Sequence, residues 1–484
     1  MLWQQGTRPG GPYREIPKIA RYWHRAGCVM TATPEMGTEP LTDTARSFVD
    51  HFRCPPTFAP FHSNARITQS TGFFRFGQAV CFGKTDGVRC AKTLDEPLAD
   101  VLPIAEIGPG CDIRLAFNPT EVIENLLCER YMVSGGRERI VQSLYYLVRP
   151  LLPFFVRKRL QQYVFQQRQN AIFPAWPVDC SIEHIYESLM RLAIQASPAR
   201  EVPFIWLWPD GKNAAVMITH DVEEQSGVDA CEMLMDLDDS FGVKAAFQLI
   251  PERRYEGVDA LVTRIRTRGF ETNIHDLDHD GRLYQDREQF QKRVSKINEY
   301  GRKYQMSGFR AGAMHRNQSW FDLLEFQYDM SVPTVSHLEP QRGGCCTVMP
   351  YFVGNLLELP LTTVQDHGLF YILGQYSIDL WRRQVEMISA HHGLASFIVH
   401  PDYIVHNPAR RAYRSLLEYI SQLVKEHGFW LAFPAEINRW WRDRSQMRLQ
   451  LSNGNWRISG QGSESARVAY ASIVDGRLQY RVED

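Results

Sequence analysis

The chain has 484 residues, with 54 Lys+Arg against 55 Asp+Glu and a formal net charge of −1. That balance excludes a nucleic-acid binder, which needs a basic excess or a basic stripe for phosphate recognition. Hydrophobic residues at 44% and charged residues at 23% are ordinary globular values, so the chain is neither wholly disordered nor fibrous.

At about 150 residues per domain, the length fits about three domains or one large domain with extensions. Residues 1–60 are rich in Pro, Gly, Thr and charge, and read as an extended or poorly ordered leader. They lack the apolar core of roughly 7–15 residues that marks a secretory signal, so a cytoplasmic protein is expected. From 61 to 135, short apolar segments (GFFRF, AVCFG, IRLAF) alternate with Gly/Pro/Asp turns, which predicts a small β-rich accessory domain. Residues 136–200 read as a helical linker. Within it, 137–170 is basic and amphipathic and is divided by Pro150 and Pro153. Packing on the neighbouring domain is the first expectation for this stretch, and peripheral membrane docking is the alternative. The longest apolar run, SLYYLVRPLLPFFV, is interrupted by Arg149, Pro150 and Pro153 and falls short of the ~20 residues a membrane span needs.

The region 201–440 changes character. Apolar or β-branched runs (AAVMITHD, KAAFQLIP, FETNIH, SGFRAGA, YDMSV, LLELPLT, LASFIVHP, FWLAFP) recur between helical stretches such as REQFQKRVSKINEYGRKY. Strands of continuous apolar residues alternating with helices imply a parallel sheet buried on both faces, and seven or eight such units suit a (β/α) barrel. Residues 441–484 alternate by twos around NG and DG turns and predict a small antiparallel β appendage. Ten cysteines show no CxxC pair, and Cys345 and Cys346 are adjacent, so reduced and mostly buried thiols are expected rather than a zinc ribbon.

Barrel enzymes place their chemistry at the carboxyl ends of their strands. The first apolar strand ends in Thr219-His220-Asp221-Val222-Glu223-Glu224, two or three carboxylates just past a buried run. Alone, that is an ordinary strand-to-helix loop. The third strand candidate ends in Ile274-His275-Asp276-Leu277-Asp278-His279. Two imidazoles four apart can converge on one divalent ion, with a carboxylate from another strand completing the set. Further strands end in Phe309-Arg310-Ala311-Gly312-Ala313, in Tyr328-Asp329-Met330-Ser331 and in Val399-His400-Pro401-Asp402-Tyr403. Singly, each has a bland explanation: a core histidine, half an ion pair, a turn. Their order along the chain is what points to chemistry.

Over 214–440 the sequence resembles the polysaccharide deacetylases of the NodB-homology type, carbohydrate esterase family four. ITHDVE matches the first motif of that family in its Asp-x-Asp form. IHDLDHD matches the metal-binding HxxxH, FRAG the arginine motif, YDMS the fourth motif and IVHPDY the fifth. The resemblance implies a distorted (β/α)7-type barrel and a divalent metal on His275, His279 and Glu223. Zn²⁺ is the first expectation, with Co²⁺, Ni²⁺ or Mn²⁺ as alternatives. It further implies Asp221 as general base, Arg310 as its partner, His400 as general acid and Asp329 as the group that orients His400. A backbone N–H near Gly312–Ala313 would face the oxyanion. Tyr328 and Tyr403, together with Trp206 and Trp208, are candidates to stack on sugar rings or to be core.

The sequence departs from the pattern at Glu223, where the Asp-x-Asp relatives carry a second Asp. The extra methylene leaves three outcomes open: the loop compensates, metal affinity falls, or Glu224 substitutes. The implied activity is hydrolysis of N- or O-acetyl groups on a carbohydrate in surface-polysaccharide or glycoconjugate biosynthesis. The alternatives are a barrel that has lost turnover and binds carbohydrate or metal, and an amidase acting on a small non-sugar amide.

Overall fold

A computed structural model describes residues 42–63, 71–132 and 154–483. Residues 1–41 of the expected leader, 64–70 and 133–135 of the expected β-rich domain, and 136–153 of the expected helical linker lie outside the described residues. Asp43–Phe52 is a helix rather than extended chain. Its buried Ala45, Phe48, Val49 and Phe52 recur at three- and four-residue spacing, a helical period hidden among charged neighbours.

The accessory region contains β1 (Phe61–Ser63), β2 (Gly72–Phe76), β3 (Ala79–Gly83), β4 (Glu106–Ile107) and β5 (Ile113–Leu115). β2 and β3 form a hairpin, while β1, β5 and β4 form a second small sheet. The helix Pro119–Leu127 starts at Asn118, whose side chain accepts from the backbone N–H of Thr120 and Glu121. The apolar faces of Asp43–Phe52, Pro119–Leu127 and Ser181–Ala196 meet these strands in one core containing Phe48, Phe74, Phe76, Phe117 and Leu189.

β6 (Glu201–Ile205), counted above with the barrel, instead pairs with a strand from the far end of the chain. The barrel sheet is built from β7 (Ala214–Val222), β8 (Ala246–Leu249), β9 (Glu271–His275), β10 (Gly308–Arg310), β11 (Tyr328–Asp329), β12 (Tyr351–Val353), β13 (Leu356–Glu358), β14 (Leu394–Ile398) and β15 (Phe429–Leu431). Its order is β12-β13-β11-β10-β9-β8-β7-β14, and only β12 runs antiparallel. All nine residues of β7 are buried, because helices cover one face of the sheet and the curl encloses the other. β8 pairs with the last residues of β7 and β15 with its first, on the edge of β7 opposite β14.

The curl is completed by side chains rather than by a strand ladder. Thr362 and Ser396 exchange backbone-to-hydroxyl hydrogen bonds of 3.1 and 2.9 Å. Thr363 Oγ1 donates to Ser396 O at 2.7 Å. Pro360, just before, has no N–H to offer a ladder, and the hydroxyls take its place. The result is a distorted half-closed barrel. Because β7, β9 and β10 run parallel and in register, their carboxyl ends share one rim.

β16 (Arg448–Ser452) and β17 (Asn455–Ser459) turn at Asn453-Gly454, and β18 (Val468–Val474) and β19 (Arg477–Val482) turn at Asp475-Gly476. All four turn residues have positive φ, as tight hairpins with right-handed twist require. β18 takes β6 as its other neighbour, and its Ala469 and Ala471 enter the core of the accessory region. No helix among the described residues is long and apolar enough to cross a membrane.

Candidate functional site

Glu223 follows directly on β7, His275 ends β9, and His279 lies in the loop beyond it. The ligand atoms of the three residues all lie within 4.8 Å of one another. Glu223 Oε1 is 3.0 Å from His279 Nε2 and 3.6 Å from His275 Nε2. Asp276 and His279 both have left-handed backbone, which folds the loop back so that the two imidazoles face one point. Asp276 secures the fold by accepting from its neighbour Leu277 N at 2.7 Å and from Gly312 N at 3.1 Å. A Cβ on Gly312 would lie 2.6 Å from Asp276 Oδ2 and 2.7 Å from the His279 ring, so only glycine fits there.

His275 Nδ1 faces Arg310 O at 3.1 Å, which assigns its N–H to that nitrogen and leaves Nε2 with a bare lone pair. Both Nε2 atoms are buried without a hydrogen-bond partner in acceptable geometry. Two orphaned imidazole nitrogens beside a carboxylate fit a divalent cation. Glu224 does not join them: it is exposed and pairs with Arg254 at 2.6 Å.

On one side of this trio stands Asp221, whose Oδ1 accepts from the Arg310 guanidinium at 2.5 Å. Arg310 is itself buried and fixed by Met330 O at 3.1 Å and Thr219 Oγ1 at 2.8 Å. Burial opposes ionisation of Asp221, but Arg310, with His275 and His400, prevails and holds its carboxyl below the usual range. On the other side stands His400, which follows β14. Its Nε2 is 3.5 Å from Glu223 Oε1, so three imidazoles converge on that one oxygen.

Asp329 does not orient His400. Asp366 does, accepting from Nδ1 at 2.6 Å and from the His400 backbone N–H at 2.7 Å. Asp329 ends β11, which is separated from β14 by four intervening strands in the sheet order, whereas Asp366 comes from the segment that returns beside β14. Asp329 binds Ser331 through its hydroxyl (2.8 Å) and backbone N–H (3.1 Å), and the Ser331 hydroxyl accepts from Ala311 N at 2.8 Å. It thereby supports the end of β10. Burial and the adjacent Asp329 push the Glu358 carboxyl well above its usual range.

Tyr328 is not at the site either. It is buried, and its hydroxyl reaches Glu271 (2.5 Å) and Asn273 (2.9 Å) near the start of β9, away from His275. Trp206 and Trp208 are also core, each donating its indole N–H to a backbone carbonyl. Tyr403 does border the site. It is half-buried, its ring lies 4.9 Å from that of His400, and its hydroxyl is 3.0 Å from His367 Nδ1. Ala313 lies at the rim with left-handed backbone, and the N–H of Gly312 is already committed to Asp276. Asp366 carries no motif of its own in the sequence; it lies just past the apolar run LLELPLTTV, and only the curl of the sheet brings it to His400.

The class defined by these elements is a distorted, half-closed (β/α) barrel with a candidate divalent-metal centre at the carboxyl rim of its sheet. No family model matches the chain, and no curated protein matches it. Among solved structures it is similar to a Mycobacterium smegmatis protein assigned as a polysaccharide deacetylase, at 21% identity and TM-score 0.41, covering 52% of this chain and 98% of that one. It is also similar to Puue allantoinase, at 12% identity and TM-score 0.40, covering 49% and 92%. A Pseudomonas aeruginosa PAO1 protein, also assigned as a polysaccharide deacetylase, aligns at 13% identity and TM-score 0.39, covering 49% and 93%.

Proposed function

We propose that the protein is a metal-dependent hydrolase that removes N- or O-acetyl groups from a carbohydrate, in the making of a surface polysaccharide or glycoconjugate. One observation carries this reading: Glu223, His275 and His279 converge, with the Asp221–Arg310 pair on one side and the His400–Asp366 pair on the other. A divalent ion held by the trio, Zn²⁺ in first place, would supply Lewis acidity to the acetyl carbonyl and lower the pKa of a water.

The protein's own residues then divide the proton work. Asp221, kept ionised and pinned by Arg310, accepts a proton as water attacks the carbonyl carbon. His400 is fixed through Nδ1 and presents Nε2 to the site, where it donates a proton to the departing nitrogen or oxygen. The C–N or C–O bond breaks, acetic acid leaves and gives up its remaining proton to the freed amine or to solvent, and solvent carries the proton from Asp221 back to His400. Tyr403 borders the site as a surface for a sugar ring.

The test is acetate release from N-acetylated sugars, nucleotide sugars, short oligosaccharides and small non-sugar amides. Asp221→Asn and His275→Ala should each abolish release in a folded protein. Full activity of Asp221→Asn would overturn the base assignment. Turnover confined to the non-sugar amides would replace a carbohydrate deacetylase by an amidase. Metal-loaded protein that binds sugars but turns nothing over would be a binding module.

A further inference from the structure

Beyond His400 the rim does not end. The short helix Pro401–Ile404 and the residues after it carry Tyr403 and His406, and a π-helical turn, His367–Ile372, with its continuation carries Tyr371 and Tyr376 opposite them. The rings meet in pairs: Tyr403 with Tyr371 at 4.7 Å, and His406 with Tyr376 at 5.4 Å. Tyr371 is 38% exposed and Tyr376 44%, so both rings present part of their surface to solvent. Aromatic faces of this kind suit the apolar faces of pyranose rings.

This track leads from His400 to a cavity of about 350 Å³ walled by Tyr376, Ser377, Asp379, Arg382, Arg411 and Ser415. Its size lies at the lower end of the range for ligand sites and leaves room for about one sugar ring. Arg382 and Arg411 are exposed, and neither has a carboxylate partner among the described residues. Arg382 is backed by the Tyr419 ring at 5.2 Å. The one acid in the wall, Asp379, is engaged by the Ser377 hydroxyl at 2.9 Å. In a chain of net charge −1, two unneutralised guanidiniums in one concavity form a distinct anion-attracting feature. Planar guanidinium forks bind carboxylate and phosphate oxygens in pairs.

We propose that the aromatic track and this cavity form an extended subsite for an anionic sugar, so that the substrate is an acidic acetylated oligo- or polysaccharide. The sugar losing its acetyl group sits at His400, and a residue further along the same glycan places its carboxylate or phosphate between Arg382 and Arg411. The inference rests on the hydrolase reading for the first of these positions and on the cavity alone for the second.

Binding of hexagalacturonate and of neutral chitohexaose to the full chain, measured by calorimetry, tests it. Hexagalacturonate should bind at least about tenfold more tightly. Arg382→Gln/Arg411→Gln should erase that preference, as should salt near 0.5 M, where the Debye length falls to a few ångströms. Tyr376→Ala should weaken both ligands. Inorganic phosphate that displaces hexagalacturonate from wild type but not from the double variant extends the class to phosphate-bearing glycans; failure to displace confines it to uronic acids. Equal binding of the two hexamers, or an unchanged preference in the double variant, overturns the subsite. Acetate release is scored separately. Arginine-dependent binding without acetate release from any glycan keeps the subsite and removes the hydrolase. Release from neutral glycans with kcat/KM unaltered by the double substitution, and no preference for hexagalacturonate, does the reverse.

Discussion

Asp366 grips His400 twice, one carboxylate oxygen on Nδ1 at 2.6 Å and the other on the backbone N–H at 2.7 Å. A bidentate hold of this kind fixes both the ring and the chain that carries it, and it commits the Nδ1 proton so that Nε2 alone faces the site. Asp366→Asn should therefore lower kcat by roughly 10²-fold or more, the scale of a lost general acid. Asp329→Asn, whose side chain serves Ser331 and Glu358 instead, should lower the melting temperature while changing kcat much less. Steady-state acetate release and thermal unfolding of the two variants distinguish them; equal losses of kcat would remove the special place of Asp366.

Glu223 is the residue at which the sequence departs from the Asp-x-Asp pattern it otherwise resembles, and the geometry gives the longer side chain a use. Its Oε1 reaches to 3.0 and 3.6 Å from the two imidazoles across the rim. Restoring the shorter acid with Glu223→Asp withdraws that oxygen by about one methylene. The expected outcome is weaker retention of divalent metal against a chelator and a loss in kcat/KM on the order of 10²-fold, the usual cost of a 1 Å misplacement. Metal content by elemental analysis and titration with Zn²⁺ or Co²⁺ check it. A Glu223→Asp protein that holds metal more tightly would mean that the loop has not adapted to glutamate.

The barrel was legible in the sequence for a physical reason. A parallel strand covered on both faces must be apolar throughout, and AAVMITHDV is buried along its whole length. His275 and His279 were legible because their spacing is local. Asp366 was not, since its relation to His400 depends on how the sheet curls back on β14, which no local pattern encodes. Tyr328 was misplaced because it sits next to Asp329, yet neighbours in a strand face opposite ways. The Asp43–Phe52 helix was hidden by composition, Pro and Gly around it masking a clear apolar period. β6 lies next to the barrel along the chain, but its hydrogen bonds go to β18, far off in sequence, which no local pattern announces.

Glu129 and Arg316 show the same long reach, 187 residues apart and joined by a two-point ion pair. Arg316 is buried and also binds Ser336 Oγ at 2.9 Å and Met314 O at 3.0 Å. It therefore ties the accessory region to the loop that begins at Gly312. Glu129→Ala leaves a buried guanidinium short of its counter-charge, which costs about 3–5 kcal/mol. Urea unfolding should show that loss, and kcat should fall with it as the Gly312–Met314 loop loosens. A change below ~1 kcal/mol would mean that water replaces the carboxylate at no great cost.

Glu183 offers a pH signature away from the site. It is buried, with Oε1 accepting from Val348 N at 3.1 Å and from the Thr347 hydroxyl, while Oε2 has no partner. Burial, only partly offset by His391 and these hydrogen bonds, raises its pKa from 4.5 to about 7. A carboxyl whose folded pKa lies above its unfolded value binds its proton more tightly in the native state. Its contribution to stability is fully present below pH 4.5 and is lost as pH rises through about 7. At 1.36 kcal/mol per unit, the swing is up to about 3 kcal/mol. Glu183→Gln removes the titration, so the variant should gain on wild type between pH 4.5 and 7.5, whatever constant cost its amide brings. Urea unfolding of both proteins at the two pH values measures that gain, and a stability difference independent of pH would show that Glu183 titrates normally in the folded protein.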